Sequence, residues 1–392
     1  MKKFFAILLA AMMVVSMFAA CASSEGGNDS DTSKGGNAIK IGMTGPLTGD
    51  AAQYGTAVEA GIEIAVEEIN AAAGEDGLKI EFQSEDDEAD GEKAVSGYKI
   101  LKDWGMQVFI GTVTSGACNA VAPETVEDEI FLLTPSASAV EVATAGANTY
   151  QMCFTDPNQG ASAAEVVNGN WNDAAIGIIY DSSDDYSTGL YEGFKAKASE
   201  LGLNVVCETS FTKDTKADLT TQVTMCKDNG ATLVFLPIYY SEASQILMIA
   251  DRNSYDPTFF GCDGMDGILN VEGFDKSLAE GLALMTPFDA NATDEATQSF
   301  VAKYKEKMDG QVPNQFAADA YDCVYAVYNA CVEAGVDGST APADVCAALI
   351  KEFNSMTFDG LTGKGMTWDE EGMISKAPAA VVITDGVYVP MG

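Results

Sequence analysis

Histidine is absent from this 392-residue chain, and basic residues are few: 21 Lys and Arg stand against 59 Asp and Glu. Without histidine the chain lacks the commonest general base, the commonest zinc and copper ligand, and any Ser-His or Cys-His nucleophile pair. Most hydrolase mechanisms are thereby excluded. Carboxylates alone can catalyse, as in glycosidases, but no motif here supports such chemistry. We therefore expect a protein that is not an enzyme and uses no cofactor.

The shortage of basic residues also limits the partners. Without residues 1–20 the chain keeps 19 basic and 59 acidic residues, a net charge of −40. Nucleic acids and anionic lipid surfaces are bound through basic patches, so we expect neither to bind the body of the protein. Charge of this size is typical of a well-solvated exterior.

Long apolar runs are missing after the first 20 residues, so no later segment is predicted to span a membrane. The chain begins MKKFFAILLAAMMVVSMFAAC, which is a short basic start, an apolar stretch over residues 4–18, and small residues before Cys21. This pattern predicts an export signal. It resembles the lipobox of bacterial lipoproteins, with Phe18 where Leu is more usual, so that residues 1–21 are the signal and Cys21 is the acylated residue. The alternative is a plain secretory signal cleaved nearby.

Residues 22–37 contain Ser, Gly, Asn and Asp but no large apolar side chain. This composition predicts a flexible linker. Two acyl chains on Cys21 would hold the protein at a membrane where one chain binds only marginally. The expected location is therefore extracytoplasmic, with a lipid anchor to the cell membrane.

Eight further cysteines are scattered without a C-x-x-C motif, and we predict no metal site. An oxidising compartment would normally pair them, whereas an anaerobic host could leave them as buried thiols. We favour free thiols, because most of these residues lie in apolar strand or helix patterns. They are Cys118, Cys153, Cys207, Cys226, Cys262, Cys323, Cys331 and Cys346.

About 355 residues follow the linker, more than one hydrophobic core usually serves, so two lobes are expected. Short apolar strands such as AIKIGM and IFLLTP alternate with amphipathic helices, which predicts an α/β fold with a parallel sheet in each lobe. Ligands of such sheets bind beyond the carboxyl ends of the strands. Hydroxyl-bearing, small and aromatic residues and one acid follow those ends: Thr44, Gly45, Thr114 to Gly116, Pro135 to Ser138, Asp181 to Ser183, Tyr239, Tyr240 and Cys262 to Gly264.

A family resemblance rests on several motifs in order. The opening IGMTGPLTGDAAQYGTAVEAGIEIAVEEINAAAG, then SEDDEADGEKAV, IGTVTSG, FLLTPSAS, YDSSDDYSTG, FFGCDG and GLTGKGMTWDEEG together resemble the type I periplasmic binding proteins of branched-chain amino acid ABC transporters. The resemblance runs from Ile39 nearly to the C-terminus. It implies two Rossmann-like lobes joined by three hinge crossings and closing on a ligand. The implied bounds are 38–155 plus 287–364 for lobe 1 and 156–286 plus 365–392 for lobe 2.

The same resemblance assigns ligand-binding roles. Ser115 matches a hydroxyl that holds the ligand carboxylate, Ala137 and Ser138 add backbone and hydroxyl contacts, and Asp263 matches the acid that receives the α-ammonium. Three tyrosines match aromatic residues that cover the ligand: Tyr54, Tyr186 and Tyr239. Asp263 stands where the best-known leucine-binding members have Glu, and Ser138 replaces a more usual Thr. These departures leave the ligand side chain open.

The function implied is capture of an amino acid, with leucine, isoleucine or valine favoured, and its delivery to an ABC permease. We expect a monomer. Within the same family the ligand could instead be a short amide, urea or an aromatic acid. A different class of function is ligand sensing for a membrane receptor, although the chain encodes no signalling domain.

Overall fold

The computed structural model of the protein describes residues 36–391. The predicted export signal, Cys21 and residues 22–35 of the predicted linker lie outside the described residues. No helix within the described part is long and apolar enough to cross a membrane.

The first sheet has the strand order β2-β1-β3-β4-β5, with every neighbouring pair parallel. The strand β4, Phe131 to Thr134, is buried along its whole length, as expected of a strand with helices on both faces of its sheet. The bounds are β1 (Ala38–Gly45), β2 (Lys79–Asp86), β3 (Val108–Phe109), β4 (Phe131–Thr134) and β5 (Thr149–Gln151).

The second sheet has the order β12-β11-β10-β9-β8-β6-β7. Strands β6 to β10 are parallel, and β11 and β12 add an antiparallel hairpin at one edge. The bounds are β6 (Ala175–Asp181), β7 (Asn204–Phe211), β8 (Leu233–Leu236), β9 (Thr258–Gly261), β10 (Ala283–Thr286), β11 (Ala379–Thr384) and β12 (Val387–Pro390).

Helices cover both sheets. Their bounds are α1 (Ala52–Ala73), α2 (Gly91–Trp104), α3 (Ser115–Glu127), α4 (Val140–Ala143), α5 (Asp156–Asn170), α6 (Asp185–Leu201), α7 (Thr220–Asp228), α8 (Tyr240–Arg252), α9 (Glu295–Lys307), α10 (Gln315–Ala334) and α11 (Pro342–Phe353). Three short 3₁₀ helices lie between β9 and β10 at Asp263–Met265, Ile268–Asn270 and Lys276–Ala279.

The chain passes between the two sheets three times. It leaves the first sheet after β5 and builds the second from β6 to β10. It then returns to the first sheet, because α10 packs on α1 and α11 packs on β4. Finally it crosses again to form β11 and β12. The predicted α/β fold with two sheets and three crossings is confirmed, while the lobe bounds given above remain a prediction. Below, the first lobe means the first sheet with α1 to α4 and α9 to α11, and the second lobe means the second sheet with α5 to α8.

Close helix packing in the first lobe depends on one glycine. A Cβ atom added at Gly61 of α1 would lie 2.1 Å from the carbonyl oxygen of Ala317 in α10. Only glycine therefore lets the two helix backbones approach this closely. The contact fixes α10 against α1, and the first turn of α10 carries one wall of the site described below.

Candidate functional site

Residues from both lobes meet near the carboxyl ends of the strands. The first lobe contributes the loop after β3, the start of α3 and one face of α1, and the second lobe contributes two tyrosines and the turn after β9. The lining consists of Tyr54, Val113, Thr114, Ser115, Ser136, Tyr186, Tyr239, Asp263, Gly264 and Phe316. Five of the seven predicted ligand-binding residues are in this lining: Tyr54, Ser115, Tyr186, Tyr239 and Asp263.

Ser115 is the first residue of α3 and is 2% exposed. Its hydroxyl accepts a hydrogen bond from the Ala139 backbone N–H at 3.2 Å, so the loop after β4 is tied to the start of α3. The first N–H groups of a helix have no partner within the helix, and they carry a partial positive charge. This end of the site is therefore suited to a carboxylate.

The other two predicted residues lie beside the lining and not in it. Ala137 is fully buried and packs with the core of the first lobe behind the loop. Ser138 is 1% exposed, and its hydroxyl lies near the Asp156 carboxyl but has no partner at full hydrogen-bond geometry among the described residues. A buried hydroxyl without a hydrogen-bond partner costs free energy, so a ligand that hydrogen-bonds to Ser138 would remove this cost.

Asp263 faces Ser115 from the second lobe and is 2% exposed. It starts the 3₁₀ turn after β9, where Oδ1 accepts a hydrogen bond from the Tyr186 hydroxyl at 2.7 Å. The Tyr186 oxygen in turn accepts one from the Gly264 N–H at 2.8 Å. Burial raises the pKa of Asp263, and these hydrogen bonds offset part of that rise. The carboxylate is therefore held in a fixed position that favours a cation as its partner.

Aromatic rings close the site from both lobes. Tyr54 and Tyr239 meet edge to face with ring centroids 5.4 Å apart, and Tyr186 and Tyr239 stack at 5.1 Å. The Tyr54 hydroxyl donates to the Gly264 carbonyl and accepts from the Tyr240 N–H, so it joins the first lobe to the second. These rings and the side chains next to them supply most of the apolar surface of the site.

Two polar residues that the sequence analysis did not single out lie next to the site. Asp156 is 1% exposed and neither carboxylate oxygen has a hydrogen-bond partner in the described part of the chain; Gln159, on the next turn of α5, has an unpartnered amide. Burial raises the pKa of Asp156 well above its usual range, with the Ser138 hydroxyl nearby lowering it in part and the Asp263 charge raising it further. Gln159 lies beside Asp263. An acid in the first turn of a helix is so common that Thr-Asp-Pro at residues 155–157 gave no distinctive signal.

Phe316 is a further lining residue that sequence reasoning missed. It lies on the first turn of α10, with its ring centroid 4.5 Å from that of Tyr54, and it is 4% exposed. Its side chain faces the site only because α10 folds back onto α1. A long-range contact of this kind leaves no local trace in the sequence.

The structure describes the site in a closed conformation. The cavity inside the lining has a volume of about 10 Å³, whereas a single water molecule needs about 10–15 Å³ by the same measure. Contacts across the cleft hold the lobes together: the Lys216 ammonium lies 3.0 Å from Asp50, and the Asn119 amide donates to Asp185 at 2.8 Å. Within the second lobe, Lys216 also lies 2.7 Å from Glu242. A ligand larger than water can enter only if the lobes separate.

The lining contains no basic side chain, and no group of acidic or thiol side chains within residues 36–391 could hold a metal ion. What the site offers is an anion-binding helix start, hydroxyls, two buried carboxylates and aromatic walls. This set suits a small zwitterion with an apolar side chain.

The sequence matches the family described as Periplasmic binding protein over residues 38–386. The chain belongs to the periplasmic binding protein family. This confirms the resemblance drawn from the sequence motifs. Proteins of this family bind small ligands outside the cytoplasm, work with ABC permeases and are not enzymes.

Three similar proteins illustrate the family. The leucine-, isoleucine-, valine-, threonine- and alanine-binding protein of Pseudomonas aeruginosa is 28% identical over 341 residues, which cover 85% of this chain and 86% of that protein. The branched-chain amino acid transporter substrate-binding protein LivJ of Streptococcus pneumoniae, solved with isoleucine, aligns with a TM-score of 0.78 at 25% identity and covers 90% of this chain and 100% of its own. A solute-binding protein of R. palustris solved with benzoate also aligns with a TM-score of 0.78, at 20% identity, covering 91% of this chain and 96% of its own. At 20% identity, the similarity to the benzoate complex shows only that the two proteins share a fold.

Proposed function

We propose that this family member is a solute receptor that captures an amino acid of the leucine, isoleucine and valine class and delivers it to an ABC permease. The single observation that carries the proposal is the buried Asp263 carboxylate, which faces the Ser115 hydroxyl and the start of α3 across a lining without any basic side chain. The relative from Pseudomonas aeruginosa and the isoleucine complex of LivJ point to the same ligand class.

The two ends of the site select a zwitterion. The carboxylate of the amino acid would bind the Ser115 hydroxyl and the N–H groups at the start of α3, with Ser138 as a second hydroxyl. The ammonium would bind Asp263, and the second buried acid, Asp156, lies close by as a further hydrogen-bonding group that an ammonium would help to ionise. Each buried carboxylate gains a cation when the ligand binds, which offsets the cost of its burial.

The side chain of the ligand would contact aromatic and aliphatic residues. Tyr54, Val113 and Phe316 line the site from the first lobe and Tyr239 from the second. An apolar side chain gains about 25 cal/mol for each Å² that it removes from water. Such a wall favours a branched aliphatic side chain over a polar one.

The proposal also places the protein at the membrane as a monomer. The basic start, the apolar stretch and the small residues before Cys21 support export and acylation of that cysteine. Residues 22–37 would then act as a flexible linker between the lipid and the binding lobes.

The test is titration calorimetry of Asp263→Ala with leucine and with benzoate. Loss of the carboxylate should weaken leucine binding at least tenfold, because the ammonium loses its charged partner. The matched control is Asp275→Ala, which removes an exposed acid that caps a 3₁₀ helix away from the site. Unchanged leucine affinity in Asp263→Ala would contradict the zwitterion proposal. Tight binding of benzoate by both the wild type and Asp263→Ala would favour an aromatic acid as the ligand.

A further inference from the structure

Cys207 and Cys226 lie together in the second lobe, away from the ligand site. Cys207 is on β7, the edge strand of the second sheet, and Cys226 is on α7, which packs over that strand. Their sulfur atoms are 3.8 Å apart. All eight cysteines of the described residues are free and buried, and among these eight, only this pair brings two sulfur atoms into contact.

The space around the two sulfur atoms is kept open by a glycine. Gly177 of β6 is the register partner of Cys207, and the pairing of β6 with β7 is irregular between Ile176 and Gly177. A Cβ atom added at Gly177 would lie 2.8 Å from the Cys226 sulfur. The two sulfur atoms therefore share a pocket in which no third side chain separates them.

The surroundings set when the thiols can react. Burial, and then the neighbouring Cys207, raise the pKa of Cys226, so the thiolate that attacks a disulfide is scarce in the folded protein. Cys207 is 7% exposed, and α7, a helix of nine residues, packs against its strand. Reaction is therefore expected as the chain folds after export, or when α7 opens locally.

We propose that Cys207 and Cys226 form a disulfide when the exported protein meets an oxidising disulfide. The thiolate of one cysteine attacks the disulfide RS–SR, which releases RS⁻ and leaves a mixed disulfide on the protein. The second cysteine loses its proton and attacks the protein sulfur of that mixed disulfide, which releases the second RS⁻. Two electrons pass from the cysteine sulfurs to RS–SR, and the two protons yield two RSH molecules.

The bond would link the edge strand to its covering helix and close a loop that contains residues 208–225. A closed loop restricts the unfolded chain and so stabilises the folded state. The same loop carries Lys216, whose ammonium contacts Asp50 across the cleft. Edge strands are the part of a sheet most prone to pair with other chains, so a link at β7 also protects the second sheet.

The test uses the full chain, exported by a bacterial host and refolded from urea either with oxidised glutathione or with a reducing agent. After thiol alkylation in denaturant, peptide mapping should find Cys207 joined to Cys226 in the oxidised sample and alkylated in the reduced one. The linked protein should unfold about 3 °C above the reduced protein.

Two variants make the assignment specific. Cys226→Ser should abolish the cross-link and the rise in unfolding temperature, whereas Cys331→Ser, which changes a buried cysteine with no sulfur contact, should leave both intact. The proposal is overturned if oxidised samples of the wild-type chain keep both cysteines alkylated, if either joins another cysteine, or if the linked protein unfolds at a lower temperature than the reduced one.

Discussion

Buried carboxylates are the most unusual residues of this protein. Asp87, Asp156 and Asp263 all lie beneath the surface, and each has a pKa raised by burial. Asp156 and Asp263 are beside the proposed ligand, which would supply a positive charge. Asp87 is not beside the proposed ligand and gains no positive charge from it. Its effect on stability therefore reports the free-energy cost of burying a carboxylate.

Asp87 is expected to make the protein less stable as the pH rises. Its Oδ1 accepts a hydrogen bond from Ala89 at 2.8 Å, its Oδ2 has no partner within the described residues, and burial raises its pKa to about 7. Between the unfolded pKa near 3.9 and this folded value, the folded state binds more protons than the unfolded state, so its stability falls as pH rises through this range. Urea unfolding should give a free energy about 1 kcal/mol lower at pH 8 than at pH 6 from this one group.

The control separates Asp87 from the other acids. Asp87→Asn should reduce the pH dependence, and Asp275→Asn, at an exposed cap, should leave it in place. If wild type and Asp87→Asn lose the same stability between pH 6 and pH 8, the assignment to Asp87 is wrong.

At the residue scale, the sequence motifs predicted the position of the site better than they predicted all the side chains around it. Ser115 begins α3 after the loop that follows β3, and Asp263 lies two residues after the end of β9. The structure places both in the lining, although their contacts with a ligand stay a prediction. Asp156 and Phe316 escaped notice because a helix start and a close contact between distant helices bring them to the site. Neither feature differs locally from ordinary helix chemistry.

Among the structural elements, the C-terminal hairpin was missed although it has a recognisable signal. Asp385 and Gly386 join β11 to β12 with φ angles of 53° and 74°. An Asp-Gly pair between apolar strands is the usual sequence of a two-residue hairpin turn. Helix α7 begins at Thr220, because residues 213–217 form turns and Asp218 accepts a hydrogen bond from the Thr220 N–H.

A buried ion pair joins the returning C-terminal segment to α10. The Lys376 ammonium lies 2.6 Å from Asp319, both side chains are at most 3% exposed, and Lys376 also donates to the Thr362 hydroxyl at 2.6 Å. Asp322 accepts hydrogen bonds from the Leu361 and Thr362 N–H groups at 2.8 and 2.9 Å. These contacts fix the third pass of the chain between the sheets.

Removing one partner of this ion pair should be more harmful than removing both. Lys376→Met leaves Asp319 buried without its cation and should lower the free energy of unfolding by about 3 kcal/mol. The double variant with Asp319→Leu should recover part of that loss. Urea unfolding measures both, with Lys351→Met as the control because the Lys351 side chain is 82% exposed. If the single and double variants lose the same free energy of unfolding, the idea that an unpaired buried Asp319 causes the loss is wrong.

For the whole molecule, closure of the two lobes is the property that matters for binding. The ion pair of Lys216 with Asp50 favours the closed conformation without lying in the site lining. Its strength is limited, because the Lys216 side chain is 31% exposed and that of Asp50 is 71% exposed.

Lys216→Ala should therefore weaken leucine binding about two- to fivefold, in keeping with a partly exposed ion pair. Lys213→Ala is the matched control, since it removes a lysine of the same loop that forms no ion pair within residues 36–391. Calorimetry in low and high salt measures the effect, and salt should reduce the difference between Lys216→Ala and wild type. A variant that binds leucine as well as wild type in low salt would show that this ion pair does not help closure.

The central claim is that the closed site is built for an amino acid with an aliphatic side chain. The most direct measurement is thermal unfolding of the protein without residues 1–21, refolded to remove bound ligand, with each of the twenty amino acids, urea, short amides and benzoate. At a thousandfold excess over the dissociation constant a ligand adds about 4 kcal/mol of apparent stability. We predict that leucine, isoleucine and valine raise the unfolding temperature; a rise only with urea, amides or benzoate would contradict the proposed function.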